Sequence, residues 1–419
     1  MIEIQPVNHL NAVIKAPSSK SYANRALIIS ALAKGKSTLK NLNFTDDTLY
    51  MIKSLESFGV KIEKEGDSLI IHGTEGKLKL PAEQIYVGNA GTTMRFITTF
   101  ASLADGKVTL SGDERMQQRP IKELLDSLNQ IGIHAYSEKN NGCPPVVIEG
   151  GILKGGEIKI HGNISSQFIS AILMISPLAK ENIRLKILNE LTSKPYVDIT
   201  LELMKHFGAE ITNNSYKEFI VENKGYKHSD YFIEGDASSA SYFFAAAAIT
   251  KGNVKVTGVN PNSVQGDIHF AEVLEKMGCK IKKGSDYIEV TGSSLKAISI
   301  DMNSMPDTVQ TLAVVALFAD GKTEIKNIAN LRLKETDRIH ALANELRKLG
   351  AEVEEKSDGI IITPKNMKSS EIETYNDHRM AMSFAVVGLA IKGIKIKNPE
   401  CVSKSFPDFW ERFNELYKK

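Results

Sequence analysis

The stretch PSSKSYANRALIISALAKGKSTLKNL, residues 17–42, opens polar and charged, turns almost purely apolar, breaks at Gly35 and resumes as an alternating run. The apolar body predicts a buried helix and the alternation a half-buried strand. What decides the fold is recurrence. ALIISALAKGK, FITTFASLADGK, AILMISPLAKEN, YFFAAAAITKGN, LAVVALFADGK and FAVVGLAIKGI place Gly35, Gly106, Glu181, Gly252, Gly321 and Gly393 roughly 70 to 75 residues apart, longer than solenoid periods. Strand patterns follow, such as STLKNL, KVTLSG, VKVTGV and TEIKNI. Next come amphipathic helices closing on Gly, namely SLESFG, SLNQIG, LMKHFG, VLEKMG and ELRKLG, as helix C-termini favour. Two short strands around a polar turn end the unit, as in VKIEKEGDSLIIHG (60–73) and AEVEEKSDGIIITP (351–364).

Six units of helix, strand, helix, strand, strand are therefore expected, and the sixth is incomplete. Its second helix, FPDFWERFNELYKK, has no strand pair after it, whereas MIEIQPV and NAVIK at the start have no helix before them. Residues 1–16 are expected to complete the last unit. Three units per domain then give one domain over 17–234 and another from 1–16 plus 235–419. Two chain crossings predict a hinge with a cleft between the halves.

A chain of 419 residues exceeds one ordinary core. Its 42% hydrophobic and 24% charged residues are those of a globular protein. A formal net charge of +2 gives no global field for nucleic acid or an anionic membrane, so any basic site is local. Cys143, Cys279 and Cys401 are far apart and form no CxxC, so they read as small hydrophobes. MIEIQPVNHL lacks the basic and apolar regions of a secretion signal, and no run approaches a membrane span. A cytoplasmic enzyme is the expectation.

The six helix starts are PSSKSYANRA, VGNAGTTMRF, HGNISSQFIS, EGDASSASYF, MPDTVQTLAV and YNDHRMAMSF. All are rich in capping residues, and caps alone account for Asp236 to Ser241. Caps do not require cations, however. Lys20, Arg25, Arg95, His378 and Arg379 stand in first turns, where the helix dipole disfavours positive charge. Free N–H groups with an added cation make an anion site. The loops ERMQQRPI, LTSKPYVD, RLKETDRI and VSKSFPDF add more charge. Lys20, Arg25, Arg119, Lys334, Arg338, Arg379 and Lys404 then suit two anionic substrates, or one carrying several charges. Lys334, Asp337 and Arg338 read equally as a solvated helix face. Asp307 stands where an N-cap would, and Glu335 lies among cations, which keep a carboxylate ionised.

Nine segments resemble the 5-enolpyruvylshikimate-3-phosphate synthase family of enolpyruvyl transferases, in the family's order. They are SSKSYANRA (18–26), GNAGTTMR (88–95), RMQQRP (115–120), SSQF (165–168), SKPYVDIT (193–200), EGDASSASYF (234–243), LKETDR (333–338), YNDHRMAM (375–382) and KSFPD (404–408). The resemblance implies an α/β fold: a two-domain inside-out α/β barrel, each domain three βαβαββ repeats, with the active site in the interdomain cleft. It implies transfer of the enolpyruvyl group of phosphoenolpyruvate to the 5-hydroxyl of shikimate 3-phosphate, by addition and elimination of phosphate, within the shikimate pathway.

On that resemblance, shikimate 3-phosphate is held by Lys20, Ser21, Arg25, Ser165, Ser166, Gln167, Ser193, Tyr196, Asp307, Asn330 and Lys334. Ser165, Ser193 and Arg25 take its phosphate. Phosphoenolpyruvate is held by Lys20, Asn89, Gly91, Arg119, Gln167, Arg338, Arg379 and Lys404. Asp307 is the implied base for the 5-hydroxyl and Glu335 the acid at the methylene carbon, with Lys20 a second candidate in the proton traffic. No cofactor or metal is implied; Asp46–Asp47 in FTDDT is the nearest thing to a ligand pair. The family also implies a monomer, and Gly91 implies sensitivity to glyphosate.

Phe96 stands where many members carry Pro, and Thr93 where Ala is common. Both leave the degree of glyphosate sensitivity open. The rival substrate is UDP-N-acetylglucosamine, for the sister transferase, whose mobile loop commonly carries a Cys; GDERMQQRPI has none. The rival class is a non-catalytic binder of RNA or another polyanion. Its aromatic stacking and extended basic face are not evident in a near-neutral chain that is 7% aromatic.

Overall fold

The computed structural model describes residues 1–418. Contacts divide the chain into two compact units, Ser18–Ile233 and Met1–Pro17 with Glu234–Lys419. Each has a core drawn from its own residues.

In the 18–233 unit, the helices Lys20–Leu32, Gly91–Ala101 and Ser166–Ile175 pack on one another and are buried almost all round. That is why their sequences are apolar without a clear polar face. Around them lie three four-stranded sheets of one plan. An incoming strand pairs parallel with the strand after the buried helix, which pairs antiparallel with the last strand of the unit. The last strand in turn pairs antiparallel with the one before it. The orders are Tyr231–Phe232, Lys36–Lys40, Ser68–His72, Lys61–Glu65; then Ile85–Tyr86, Gly106–Ser111, Val146–Gly150, His134–Ser137; then Gly156–Ile160, Ile183–Ile187, Glu218–Val221, Ile211–Asn214.

The other unit repeats the plan around Ala237–Thr250, Val309–Ala316 and His378–Gly388. Its three larger sheets are Asn11–Lys15, Asn253–Thr257, Tyr287–Thr291, Lys280–Lys283; then Ser299–Asp301, Thr323–Lys326, Ile360–Thr363, Glu352–Glu355; then Glu371–Ile372, Ile394–Ile396, Ile2–Ile4, and Leu295–Lys296 pairs parallel with Ala319–Asp320 in a small fourth. Helices inside and sheets outside make the architecture mixed α/β.

One expectation is corrected. Of residues 1–16, only Ile2–Ile4 joins the sixth unit, antiparallel to Ile394–Ile396. Asn11–Lys15 instead opens the fourth unit, parallel to Asn253–Thr257. The reason is symmetry: every sheet needs an incoming strand, and Tyr231–Phe232 supplies the first unit's in the same way. Reading each unit from its helix overlooked that strand.

Close approach explains why several last strands end on Gly. A Cβ on Gly73 would lie 2.0 Å from the Ala33 carbonyl oxygen, and one on Gly292 2.1 Å from that of Ala247. The strand end is pressed against the C-terminus of the buried helix, and only Gly fits.

Candidate active site

In the 18–233 unit, the predicted residues cluster at the starts of helices. Ser165 caps Ser166–Ile175 by accepting from the Gln167 N–H, and the Gln167 amide donates to Thr92 Oγ1 at 3.2 Å. Arg25 lies one turn into its helix, 2% exposed. It donates to Thr200 Oγ1 at 2.7 Å, Ser21 O at 2.9 Å, Tyr196 O at 3.0 Å and Ser170 Oγ at 3.3 Å. Its guanidinium lies 5.3 Å from the centre of the Phe96 ring. These hydrogen-bond partners are neutral, and burial pulls the guanidinium pKa down to about 10. A buried cation met by hydroxyls and carbonyls is suited to an anion.

Arg119 is equally buried and donates to Asn89 Oδ1 at 3.1 Å. It lies against Gly91, where an added Cβ would fall 2.5 Å from its Nη2. Ser193 precedes the Lys194–His206 helix with φ of 54°, a left-handed conformation for a residue with a Cβ. Such strain costs on the order of 1 kcal/mol and is held by surrounding structure.

Lys20 donates to Asp47 Oδ2 at 2.8 Å, so this carboxylate meets an ammonium from its own unit. Arg95 donates to Gly91 O at 3.1 Å and Pro120 O at 3.3 Å, tying its helix to the loop that carries Arg119.

The second cluster belongs to the 1–17 and 234–419 unit. Arg338, 1% exposed, is its hub. It meets Asp377 Oδ2 at 2.7 Å, Glu335 Oε2 at 2.9 Å and Asp307 Oδ1 at 3.2 Å. Burial alone lowers the affinity of a guanidinium for its proton, but Asp377, Glu335 and Asp307 together raise it well above the ordinary value. Asp307 also accepts from Arg379 Nη2 at 2.7 Å, with Lys334 Nζ 3.9 Å away. Asp307 is therefore no helix cap. It stands inside the 3-10 turn Pro306–Thr308 with its carboxylate among three cations. Nor is Arg338 part of a solvated face. The cap of its helix is Asp337, which accepts from His340 N and pairs with half-buried Arg332.

Two consecutive left-handed residues, Tyr375 and Asn376, turn the chain so that Asp377 caps His378–Gly388 and reaches Arg338. Lys404 is buried at the end of Pro399–Lys404, a turn packed on that helix. Asn330 lies in Ala329–Leu333, which packs on Arg338–Lys348.

Several participants were not anticipated. Asp377 was visible only among the capping residues of YNDHRMAMSF, and Asp47 only in the Asp46–Asp47 pair of FTDDT. Asp267 had no signal, being in a short turn after NSVQG. It is buried, accepts from Ser238 Oγ, and is driven up to about 7 by burial and then by the charge of Asp307. Tyr242, which accepts from Arg379 at 3.2 Å, is pushed up to about 12 by burial. Of the cysteines, Cys279 and Cys401 are buried and Cys143 is half-buried.

Six repeats in two units, each unit carrying cations set at helix starts, define a class of α/β protein built to handle anionic small molecules. A model of EPSP synthase (3-phosphoshikimate 1-carboxyvinyltransferase) matches residues 4–413, and the chain belongs to this family. It is 48% identical over 421 residues to the 3-phosphoshikimate 1-carboxyvinyltransferase of Shewanella sediminis, covering 99% of both chains. With the enzyme of that name from Shewanella piezotolerans it shares 47% over 422 residues, again covering 99% of both. Among solved structures, an EPSP synthase from Acinetobacter baumannii aligns with a TM-score of 0.82 at 29% identity, over 99% of this chain and 97% of that one.

Proposed function

We propose that this chain transfers the enolpyruvyl group of phosphoenolpyruvate to the 5-hydroxyl of shikimate 3-phosphate and releases inorganic phosphate. Family membership supports the reaction. The observation that carries the residue roles is Asp307 and Glu335 gathered on Arg338, with Arg379 and Lys334 alongside.

Asp307, ionised among cations, accepts the 5-hydroxyl proton. Once substrate anions offset the surrounding cations, Glu335 carries a proton, which it delivers to the methylene carbon, and it takes one back when phosphate leaves. Arg119, Arg338, Arg379, Lys20 and Lys404 hold the phosphate and carboxylate of phosphoenolpyruvate, with Asn89, Gly91 and Gln167 lining its place. Fixed cations are what a departing phosphate requires. Shikimate 3-phosphate is held by Lys20, Ser21, Arg25, Ser165, Ser166, Gln167, Ser193, Tyr196, Asp307, Asn330 and Lys334. The carboxylates that pair with Arg338 and Arg379 keep these cations placed until substrate anions share them.

The protein works as a cytoplasmic monomer, and glyphosate inhibits it in competition with phosphoenolpyruvate. UDP-N-acetylglucosamine is not favoured as acceptor, since the relatives carry the other enzyme's name.

The test is phosphate release from phosphoenolpyruvate with and without shikimate 3-phosphate, for wild type and Glu335→Gln. Release should depend on shikimate 3-phosphate and fall by about 10²–10⁴-fold in the variant, the usual worth of a general acid–base group. Release supported by UDP-N-acetylglucosamine instead would overturn the acceptor.

A further inference from the structure

The Lys20 ammonium stands where physical chemistry opposes it. It is the first residue of Lys20–Leu32, beside the positive end of the helix dipole, and its side chain is only 14% exposed. Dipole and lost hydration both favour the neutral amine. Against them stands Asp47, 3% exposed, with Oδ2 at 2.8 Å from Nζ. Its neighbour Asp46 is exposed.

Asp47 is itself well founded. It lies in the first turn of Asp46–Ser57, where a negative charge is favoured by the dipole. The start of that helix is closed by a reciprocal Thr45–Thr48 capping box. The Thr93 hydroxyl donates to the Asp47 carbonyl oxygen at 3.1 Å. Thr93 belongs to the first turn of Gly91–Ala101, the helix that begins beside Asn89 and Arg119. Asp47 thus links the start of the Lys20 helix, through its carboxylate, to the start of the Gly91 helix, through its backbone carbonyl.

We infer that Asp47 is a positioning residue for Lys20, holding the ammonium charged and in place, and that Thr93 fixes Asp47 in register with the Gly91 turn. The inference rests on the reading that Lys20 serves the transfer reaction. Asp47 need not touch either substrate. Removing the charge while keeping the shape should lower the proton affinity of Lys20 by roughly one to three pH units, the usual influence of an opposite charge in contact. Removing only the Thr93 hydroxyl should leave that affinity alone and loosen the geometry.

The experiment follows Lys20 in protein labelled with 13C and 15N at lysine, its signal assigned by Lys20→Arg, in wild type, Asp47→Asn, Asp47→Glu and Thr93→Ala. The pH profile of kcat/KM for phosphoenolpyruvate is measured alongside. Asp47→Asn should titrate Lys20 at least one pH unit below the wild type, and the basic limb of the profile should move down with it. Asp47→Glu and Thr93→Ala should keep the titration and the limb while raising KM several-fold. Identical Lys20 titration in wild type and Asp47→Asn would overturn the inference, whatever the activity. If the wild type releases no phosphate, the functional reading fails, and the Lys20 titration alone still decides whether Asp47 holds the ammonium.

Discussion

At the scale of single residues, the site is built from charges that the protein meets internally. Gly91 shows how little room remains. Gly91→Ala would put a methyl group within 2.5–2.8 Å of the Arg119 guanidinium, which is buried and bonded to Asn89. Arg119 must move, and a charge-assisted hydrogen bond is worth about 1.5–3 kcal/mol. The KM for phosphoenolpyruvate should rise at least about 10-fold, measured in steady state, with glyphosate inhibition weakened too. An unchanged KM would remove Arg119 from that pocket.

Asp267 carries a different consequence. Burial, reinforced by Asp307, holds its carboxyl up to about 7 against an ordinary 3.8. Between those values the folded chain retains a proton that the unfolded chain releases. Stability from this group is therefore complete at low pH and is lost as pH rises towards 7, at up to about 1.4 kcal/mol per pH unit. Asp267→Asn carries no such loss. Its stability relative to wild type, from urea unfolding, should climb between about pH 4.5 and 7 and level off above. A difference independent of pH would mean that Asp267 is already ionised in the folded protein.

At the scale of elements, the buried helices and their sheets fit closely enough for small additions to matter. Gly388 is helical, in His378–Gly388, and faces the strand Ile2–Ile4. A Cβ there would lie 2.4 Å from the Ile4 Cβ. Gly388→Ala gains helix propensity but must push the strand outward, and overpacking costs about 1–3 kcal/mol. A lowered melting temperature is expected, partly rescued by Ile4→Gly, which removes the Cβ that the new methyl meets. Rescue by no Ile4 substitution would show that the helix, not the strand, gives way.

At the scale of the whole molecule, the two units depend differently on chain order. Residues 18–233 contain every strand of their three sheets, including Tyr231–Phe232 at the edge of the first. Residues 234–419 lack two strands, Asn11–Lys15 and Ile2–Ile4, that their sheets use. Expressed alone, 18–233 should unfold cooperatively, whereas 234–419 should not fold. Joining 1–17 directly to 234–419 should restore folding, because the Pro17 carbonyl oxygen already accepts from Asp236 N at 2.8 Å. Circular dichroism and urea titration would check each fragment. Cooperative folding of 234–419 alone would contradict this account of the sheets.

The sequence by itself determined the six repeats and the cationic helix starts. Apolar runs, alternation and closing glycines are local consequences of burial and backbone geometry, written within about 75 residues each. The motifs at the helix starts were legible for the same reason. Tertiary structure alone decided which side chains meet. Whether Asp307 caps a helix or joins Arg338 and Arg379, and whether Asp47 holds Lys20, depends on partners 27 to 72 residues away. The opening strand of the fourth unit was hidden for that reason too, since pairing Asn11–Lys15 with Asn253–Thr257 is a long-range choice. Local propensity specifies an element; only the packed chain specifies its neighbour.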